Sequence, residues 1–255
     1  MNPGVFFIAT FWTAIGVSVW VCSMLLKNRR VALPVFVLGI ASGLIVARLF
    51  SAFETSSTLF WEGGWSSLGF GLGFLSATLG VFLFIAGPRS ALEFADSAAP
   101  ALAAGGAIAR IGCFVAGCHF GTVTDLPWGI QYPAGSPAFF HQLAQHQLGW
   151  EASVSLAVHP VALLESGLLL FGLLVYFMTP TARLDRYSPG LIFLFWALYY
   201  STLRFGLELI RGGTTSALGP LSLAQIACLA GFGTGVLVLT LFPFLQRKIV
   251  HAERT

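Results

Sequence analysis

Charge is what this sequence has least of: 13 Lys and Arg and 10 Asp and Glu make up only 9% of its 255 residues. A water-exposed globular domain carries about 25% charged residues, so this chain lacks the charge to cover a surface facing water. The formal net charge of +3 is too small for a nucleic-acid footprint, and no nucleic-acid partner is expected. Cysteine is scarce too. Cys22, Cys113, Cys118 and Cys228 are too few and too scattered for a disulfide framework. A zinc site would have to gather four ligands from separate parts of the chain, so neither a metal nor a cofactor is expected. The first apolar run lacks a basic leader and a small-residue cleavage site, and reads as a retained helix rather than a removed signal peptide. No linker, composition break or internal repeat divides the sequence, so residues 1–255 are expected to form a single integral membrane domain.

What is abundant is apolar. Hydrophobic residues are 56% of the chain, with 24 Phe and 29 Gly, and the mean hydropathy is +0.84. A bilayer core of about 30 Å needs roughly 20 apolar residues per helix. Seven segments meet that standard: Val5–Leu26, Ala32–Phe53, Ser66–Ile85, Ser97–Val115, Val158–Met178, Gly190–Ile210 and Leu221–Leu241. The fold class is therefore all-α, a polytopic membrane protein with seven transmembrane helices. Basic loop residues set the orientation. Lys27, Arg29 and Arg30 follow the first segment, Arg89 the third, Arg183 and Arg186 the fifth, and Arg247, Lys248 and Arg254 the last. The intervening connections carry Glu54, Glu62, Asp125 and Glu151, with Arg211 as their only base. This pattern predicts an N-terminus outside, a cytoplasmic C-terminus, and a fourth helix whose Arg110-to-His119 end lies near the outer face.

One outer connection, from His119 to Ala157, is much longer than the rest. Its first part is turn-rich, with Pro127, Pro133, Gly135 and Pro137. Its second part, AFFHQLAQHQLGW, reads as a short interfacial helix with Phe139, Phe140, Leu143 and Leu148 on one side and His141 and His146 on another. A folded cap and a substrate gate are both open readings.

The chemistry concentrates in Asp96–Phe120, an apolar stretch that opens on an acid, carries Arg110 and ends on Cys113, Cys118 and His119. A charged side chain in a membrane-length helix marks a functional site by default. Arg204 and Glu208 lie four residues apart on one face of the sixth segment, and Arg211 follows at its outer mouth. Three arginines in the outward half of a bundle fit an anionic ligand, because the guanidinium fork matches phosphate oxygens. The bland alternative is an Arg204–Glu208 pair that neutralises itself, with Arg211 among the headgroups. His159 precedes Pro160 at the entry to the fifth segment, and Glu165 lies two turns deeper, where it fits the role of partner to an arginine on a neighbouring helix. For Cys113 and Cys118 several readings stand: a disulfide, a thiolate made reactive by Arg110, or small buried apolar residues.

Several motifs in order resemble bacterial prolipoprotein diacylglyceryl transferase. They are D-x-x-A-P at Asp96–Pro100, A-R-I-G-C-F at Ala109–Phe114 and G-T-V-T-D-L-P-W-G at Gly121–Gly129. They continue with H-P-V-A-L-L-E at His159–Glu165, Y-x-x-x-R-F-x-x-E-x-x-R at Tyr200–Arg211 and G-P-L-S-L-A-Q at Gly219–Gln225. That family transfers the diacylglyceryl unit of phosphatidylglycerol to the thiol of a prolipoprotein signal-peptide cysteine, forming a thioether and releasing glycerol phosphate. The resemblance implies a bacterial cytoplasmic (inner) membrane location, with phosphatidylglycerol, the signal-peptide cysteine and membrane lipids as partners. It implies that Arg110 and Arg204 bind or stabilise the phosphate and that Glu208 orients an arginine. Tyr200, His159, Glu165 and Gly121 would complete the site, beside Arg211, the third arginine of the residue reading.

The sequence also departs from the family. Where the signature reads G-R-x-G-N-F-x-N-x-E, this chain has Ala109, Arg110, Gly112, Cys113, Phe114, Ala116 and Cys118. The histidine of the family's H-G-G-L-I-G segment is missing from the corresponding Leu75–Gly80, and Trp12 is the nearest match to the family's first-helix tyrosine. Three functions follow. The chain is a divergent transferase on the standard substrate, with His119 or His159 in place of the missing base. Or it modifies a different acceptor through Cys113 or Cys118, or it binds phospholipid without catalysis.

Overall fold

Runs of about 20 apolar residues without water must satisfy their own backbone hydrogen bonds, and the α-helix does so within one segment. A computed structural model describes residues 3–26, 29–54, 73–74, 77–78, 81, 87–179, 188–214 and 216–252. In chain order the helices are α1 (Pro3–Leu25), α2 (Arg29–Glu54), α3 (Gly87–Ala116), α4 (Pro137–Ala144), α5 (Val161–Met178), α6 (Leu191–Leu209) and α7 (Leu223–Ala252). Between α6 and α7 the strands β1 (Ser216–Leu218) and β2 (Leu221–Ser222) pair antiparallel. Five of these helices are long and apolar enough to cross a membrane: α1, α2, α3, α5 and α7. Helix α6 has the length but carries Arg204 and Glu208. The expected third segment, Ser66–Ile85, lies outside the described residues apart from short helical pieces at 73–74, 77–78 and 81. The position of the missing family histidine, Leu75, falls outside them as well.

Packing is inverted relative to a water-soluble protein. The buried residues of α1 and α3 are mostly small, among them Ala14, Ala98, Ala101, Ala104 and Ala107. A Cβ at Gly105 would meet Ala14 O at 2.7 Å as well as the Ser18 hydroxyl, so the two backbones approach closely there. Small residues at helix contacts and large ones outside are what lipid-embedded helices show. On α5 the exposed residues include Leu170, Phe171, Leu174 and Phe177, each at least half exposed. Phe36 meets Phe74 and Phe94 edge to face, with ring centroids 5.6 and 6.3 Å apart.

Polar ties then fix the bundle. Ser166 Oγ on α5 donates to Ala107 O of α3 at 2.8 Å, and Tyr199 Oη on α6 donates to Leu168 O of α5 at 2.6 Å. Helix α3 itself corrects the sequence reading. It begins at Gly87 rather than Ser97, so Arg89 lies inside it, paired with Glu93 at 3.3 Å on an exposed face. Asp96 is consequently mid-helix, and its task is tertiary. Asp96 Oδ2 accepts from Gly190 N and Oδ1 from Phe193 N, both at 2.7 Å. A carboxylate that takes up free N–H groups in the first turn of a helix is a cap, here supplied from a different helix. Asp96→Ala is expected to cost about 1–2 kcal/mol, read as a lower thermal unfolding temperature in detergent with helical content kept. Asp96→Asn keeps only one oxygen and should fall between the two.

Candidate active site

The C-terminal end of α3 unwinds at Gly117, whose φ of +70° ends the helix at Ala116. The helix therefore runs one residue past the expected Val115, and the turn folds Cys118 and His119 back over its end. From there the long connection forms a cap of short bridges. Gly121 N donates to His159 O at 2.9 Å, Thr122 N to Ile210 O at 2.8 Å, and Gly212 N to Phe120 O at 3.0 Å. This strap binds three distant segments, the end of α3, the entry to α5 and the exit of α6. Gly121 is obligatory in it, because a Cβ would lie 2.5 Å from His159 Cβ and 2.7 Å from His159 O.

Helix α4 closes the cap, started by Ser136 Oγ accepting from Phe139 N at 3.3 Å and by Pro137 in the first turn. Its buried residues are Ala138, Phe139 and Gln142, while Phe140 is exposed. The expected grouping of Phe139 with Phe140 thus fails, because adjacent helical positions point about 100° apart. The helix also ends at Ala144, before His146 and Leu148.

Beneath the cap, five ionised side chains form one continuous chain. Glu165 Oε2 on α5 lies 3.0 Å from Arg110 Nε on α3 and 3.9 Å from Arg204 Nη1 on α6. Arg204 Nη2 reaches Glu208 Oε2 at 2.9 Å, and Arg211 Nη1 reaches the same oxygen at 3.3 Å. Tyr200 Oη donates to Glu165 Oε1 at 3.2 Å and lies within hydrogen-bond reach of Arg110. Glu165, Arg204 and Glu208 are each no more than 6% exposed. Sequence reasoning grouped the arginines and chose Glu165 as a partner. It did not place Glu165 as the junction between two arginines on different helices.

The charges do not cancel. Three guanidinium groups face two carboxylates, so one positive charge in the cluster has no counter-ion within it. Arg211 feels this most. Burial, with Arg204 close by, holds its guanidinium below the ordinary arginine value. An anion beside it would remove that cost. A pocket of about 320 Å³ opens at this point, lined by Phe120, Thr122, His141, Gln142, Arg211 and Gly212.

Two residues that the sequence reading left without a task hold the site in place. Ser222 and Gln225 form a capping box at the start of α7: Ser222 Oγ accepts from Gln225 N at 3.2 Å, and Gln225 Oε1 accepts from Ser222 N at 2.9 Å. The same Ser222 hydroxyl donates to Glu208 Oε1 at 3.1 Å. The S-x-x-Q spacing before an apolar run is the signal that could have found them. Trp128 is the third addition. Its Nε1 donates to His159 Nδ1 at 3.2 Å, which leaves the neutral His159 ring with its proton on Nε2.

Cys113, Cys118 and His119 come together at the unwound helix end. Their ligating atoms all lie within 4.8 Å of one another, and both cysteines are free thiols. Cys118 Sγ donates to Cys113 O at 3.4 Å. A side-chain hydrogen bond to Cys113, together with burial, keeps the Cys118 thiol above its ordinary value, while burial holds the His119 imidazole neutral. Cys22, by contrast, is fully buried in the apolar core, as expected of a structural cysteine.

A bundle with five helices long and apolar enough to cross a membrane, capped at one end over a buried ion-pair chain of three arginines and two glutamates, is a multi-pass membrane protein. The family model for prolipoprotein diacylglyceryl transferase matches residues 4–241, and the chain belongs to that family. Named relatives agree. The chain is 35% identical over 198 residues to a phosphatidylglycerol--prolipoprotein diacylglyceryl transferase of Gloeobacter violaceus, covering 76% of this chain and 65% of the relative. It is 35% identical over 166 residues to one from Acaryochloris marina, covering 64% and 54%. For Stenotrophomonas maltophilia the figures are 31% over 210 residues, covering 76% and 68%. The chain thus spans about half to two thirds of the length of these relatives.

Proposed function

We propose that this chain transfers the diacylglyceryl group from phosphatidylglycerol to the lipobox cysteine thiol of prolipoproteins, at the outer face of a bacterial cytoplasmic membrane. The observation that carries this reading is the buried Arg110–Glu165–Arg204–Glu208–Arg211 chain with its uncompensated positive charge. The relatives' names support the reaction and both substrates. Seven spans, with α6 held in the bundle by its neighbours and a third helix near residues 66–85, complete the arrangement. The basic loops lie on the cytoplasmic side, which keeps the N-terminus and the α3–α5 cap outside.

In the reaction the acceptor sulfur attacks the glyceryl carbon that carries the phosphodiester oxygen. A C–S bond forms, the C–O bond breaks, and glycerol phosphate leaves with the bonding pair while the thiol proton is given up. Negative charge grows on the departing phosphate oxygens. Guanidinium groups already fixed by carboxylates need not reorganise to meet it, and stabilisation of this kind is often the largest single contribution to catalysis. In this reading Arg110 and Arg204 hold the phosphate, Glu165 and Glu208 orient them, and Arg211 lies at the pocket through which the headgroup enters. Tyr200 steadies Glu165. His159, its Nδ1 occupied by Trp128, presents Nε2–H as a donor to a phosphate oxygen rather than a free base.

The test in cells is rescue. Expression in bacteria depleted of their own transferase should restore lipoprotein modification, and failure at good membrane expression would sink the reading. A finer test addresses the strap. Gly121→Ala forces residues 121 and 159 apart, and a misplacement of about 1 Å in an active site can cost about 100-fold. We expect a loss of that order in phosphatidylglycerol consumption by thin-layer assay, with helical content unchanged.

A further inference from the structure

Two soft sulfur donors and an imidazole meet where α3 unwinds, and the ion-pair chain makes no use of them. Tetrahedral zinc, with bonds of about 2.3 Å to sulfur and about 2.0 Å to nitrogen, holds its ligands roughly 3.5–3.8 Å apart. The three donor atoms already lie within 4.8 Å of one another, so closing on an ion asks for about 1 Å of movement at most. A second observation points to a missing partner. Among the described residues His119 Nδ1, which is buried, has no hydrogen-bond partner, and an unsatisfied buried polar atom of this kind costs about 1–3 kcal/mol. We infer that Cys113, Cys118 and His119 bind one divalent thiophilic ion, Zn²⁺ by its chemistry, through three protein ligands with the fourth position open.

Charge supports the choice of ion. Two thiolates and one Zn²⁺ sum to zero, as a site in low dielectric requires. Arg110, close enough to act on both thiols and on the imidazole, is already committed to Glu165. Three ligands and an open fourth position are what catalytic zinc sites use. A thiol that entered the open position would bind as thiolate and release its proton to water. The ion would thus supply the activated acceptor sulfur for which this chain has no family histidine. That role rests on the transfer reading above, but the residence of the ion does not.

The test uses full-length protein purified in detergent with its thiols reduced. Elemental analysis should find about one zinc per chain that a strong chelator removes. Replacement by Co²⁺ should give intense thiolate-to-cobalt absorption with tetrahedral bands. Zinc should shield Cys113 and Cys118 from alkylation, read by peptide mass spectrometry, while Cys22 and Cys228 are indifferent to it. Losing even an outer-shell partner costs about 10–100-fold in metal affinity, so Cys113→Ser, Cys118→Ser and His119→Ala should each lose more. No zinc-dependent shielding, or equal uptake by the doubly substituted Cys113→Ser/Cys118→Ser chain, would overturn the site. Transfer lost on stripping and restored by Zn²⁺ supports the thiol-activating role, and transfer unchanged on stripping overturns it. Zinc bound with no transfer under any condition would leave the site standing and refute the transfer reading.

Discussion

Arg204→Ala should lower phosphatidylglycerol turnover by about 100- to 1000-fold, the range for removing one preorganised charge donor from a developing anion. Arg204 stands at the middle of the ion-pair chain, 3.9 Å from Glu165 and 2.9 Å from Glu208, so its loss both removes a phosphate donor and uncouples Arg110 from Arg211. Arg204→Lys should not rescue. A lysine offers one compact ammonium, whereas this position uses a planar fork whose two ends reach carboxylates on different helices. The measurement is initial rate in lipid vesicles, alongside lipid binding to the same protein. A fall in binding that fully accounts for the fall in rate would reduce Arg204 to an anchor. A fall in rate at saturating lipid assigns it to the transition state.

The largest effect on stability belongs to Glu165. It is 1% exposed, accepts from Tyr200, and is ion-paired with both Arg110 and Arg204. Removing one side of a buried ion pair strands the other, at a cost of about 3–5 kcal/mol, so Glu165→Ala should unfold at clearly lower temperature in detergent. Removing both charges is a different matter. A well-packed apolar pair in place of a buried ion pair is often neutral, so Glu165→Leu with Arg110→Met should recover much of the lost stability while remaining inactive. A double-mutant cycle measures the coupling. Additive losses would mean that Arg110 and Glu165 do not act as a pair.

Part of this arrangement is legible in the sequence, and the reasons are physical. Apolar runs of membrane length dictate helices whatever surrounds them, and α1, α2, α5 and α6 lie close to where hydropathy places them, whereas α7 runs on past the expected Leu241 to Ala252. Helix α3 was cut short because Arg89 and Glu93 look like a loop. They are an exposed i,i+4 pair that helical geometry supports on its outer turns. Arg110, Arg204, Glu208 and Arg211 stand out because a charge in an apolar segment is costly and therefore rare. Their neighbours are not legible in this way. That Asp96 caps α6, or that Glu165 joins two arginines, depends on contacts between helices far apart in sequence. The Cys113–Cys118–His119 grouping was hidden for another reason. Residues five apart on a continuous helix point away from each other, and it is the left-handed Gly117, followed by the left-handed His119, that turns the chain back.

The central claim is that this site carries a diacylglyceryl group from lipid to thiol. Mass spectrometry tests it most directly, on a lipobox peptide incubated with the purified protein in phosphatidylglycerol vesicles. The account predicts a peptide that gains one diacylglyceryl group through a thioether at its cysteine, with one glycerol phosphate released per peptide and both products absent with Arg204→Ala. Folded wild-type protein that binds phosphatidylglycerol but yields neither modified peptide nor glycerol phosphate would contradict it.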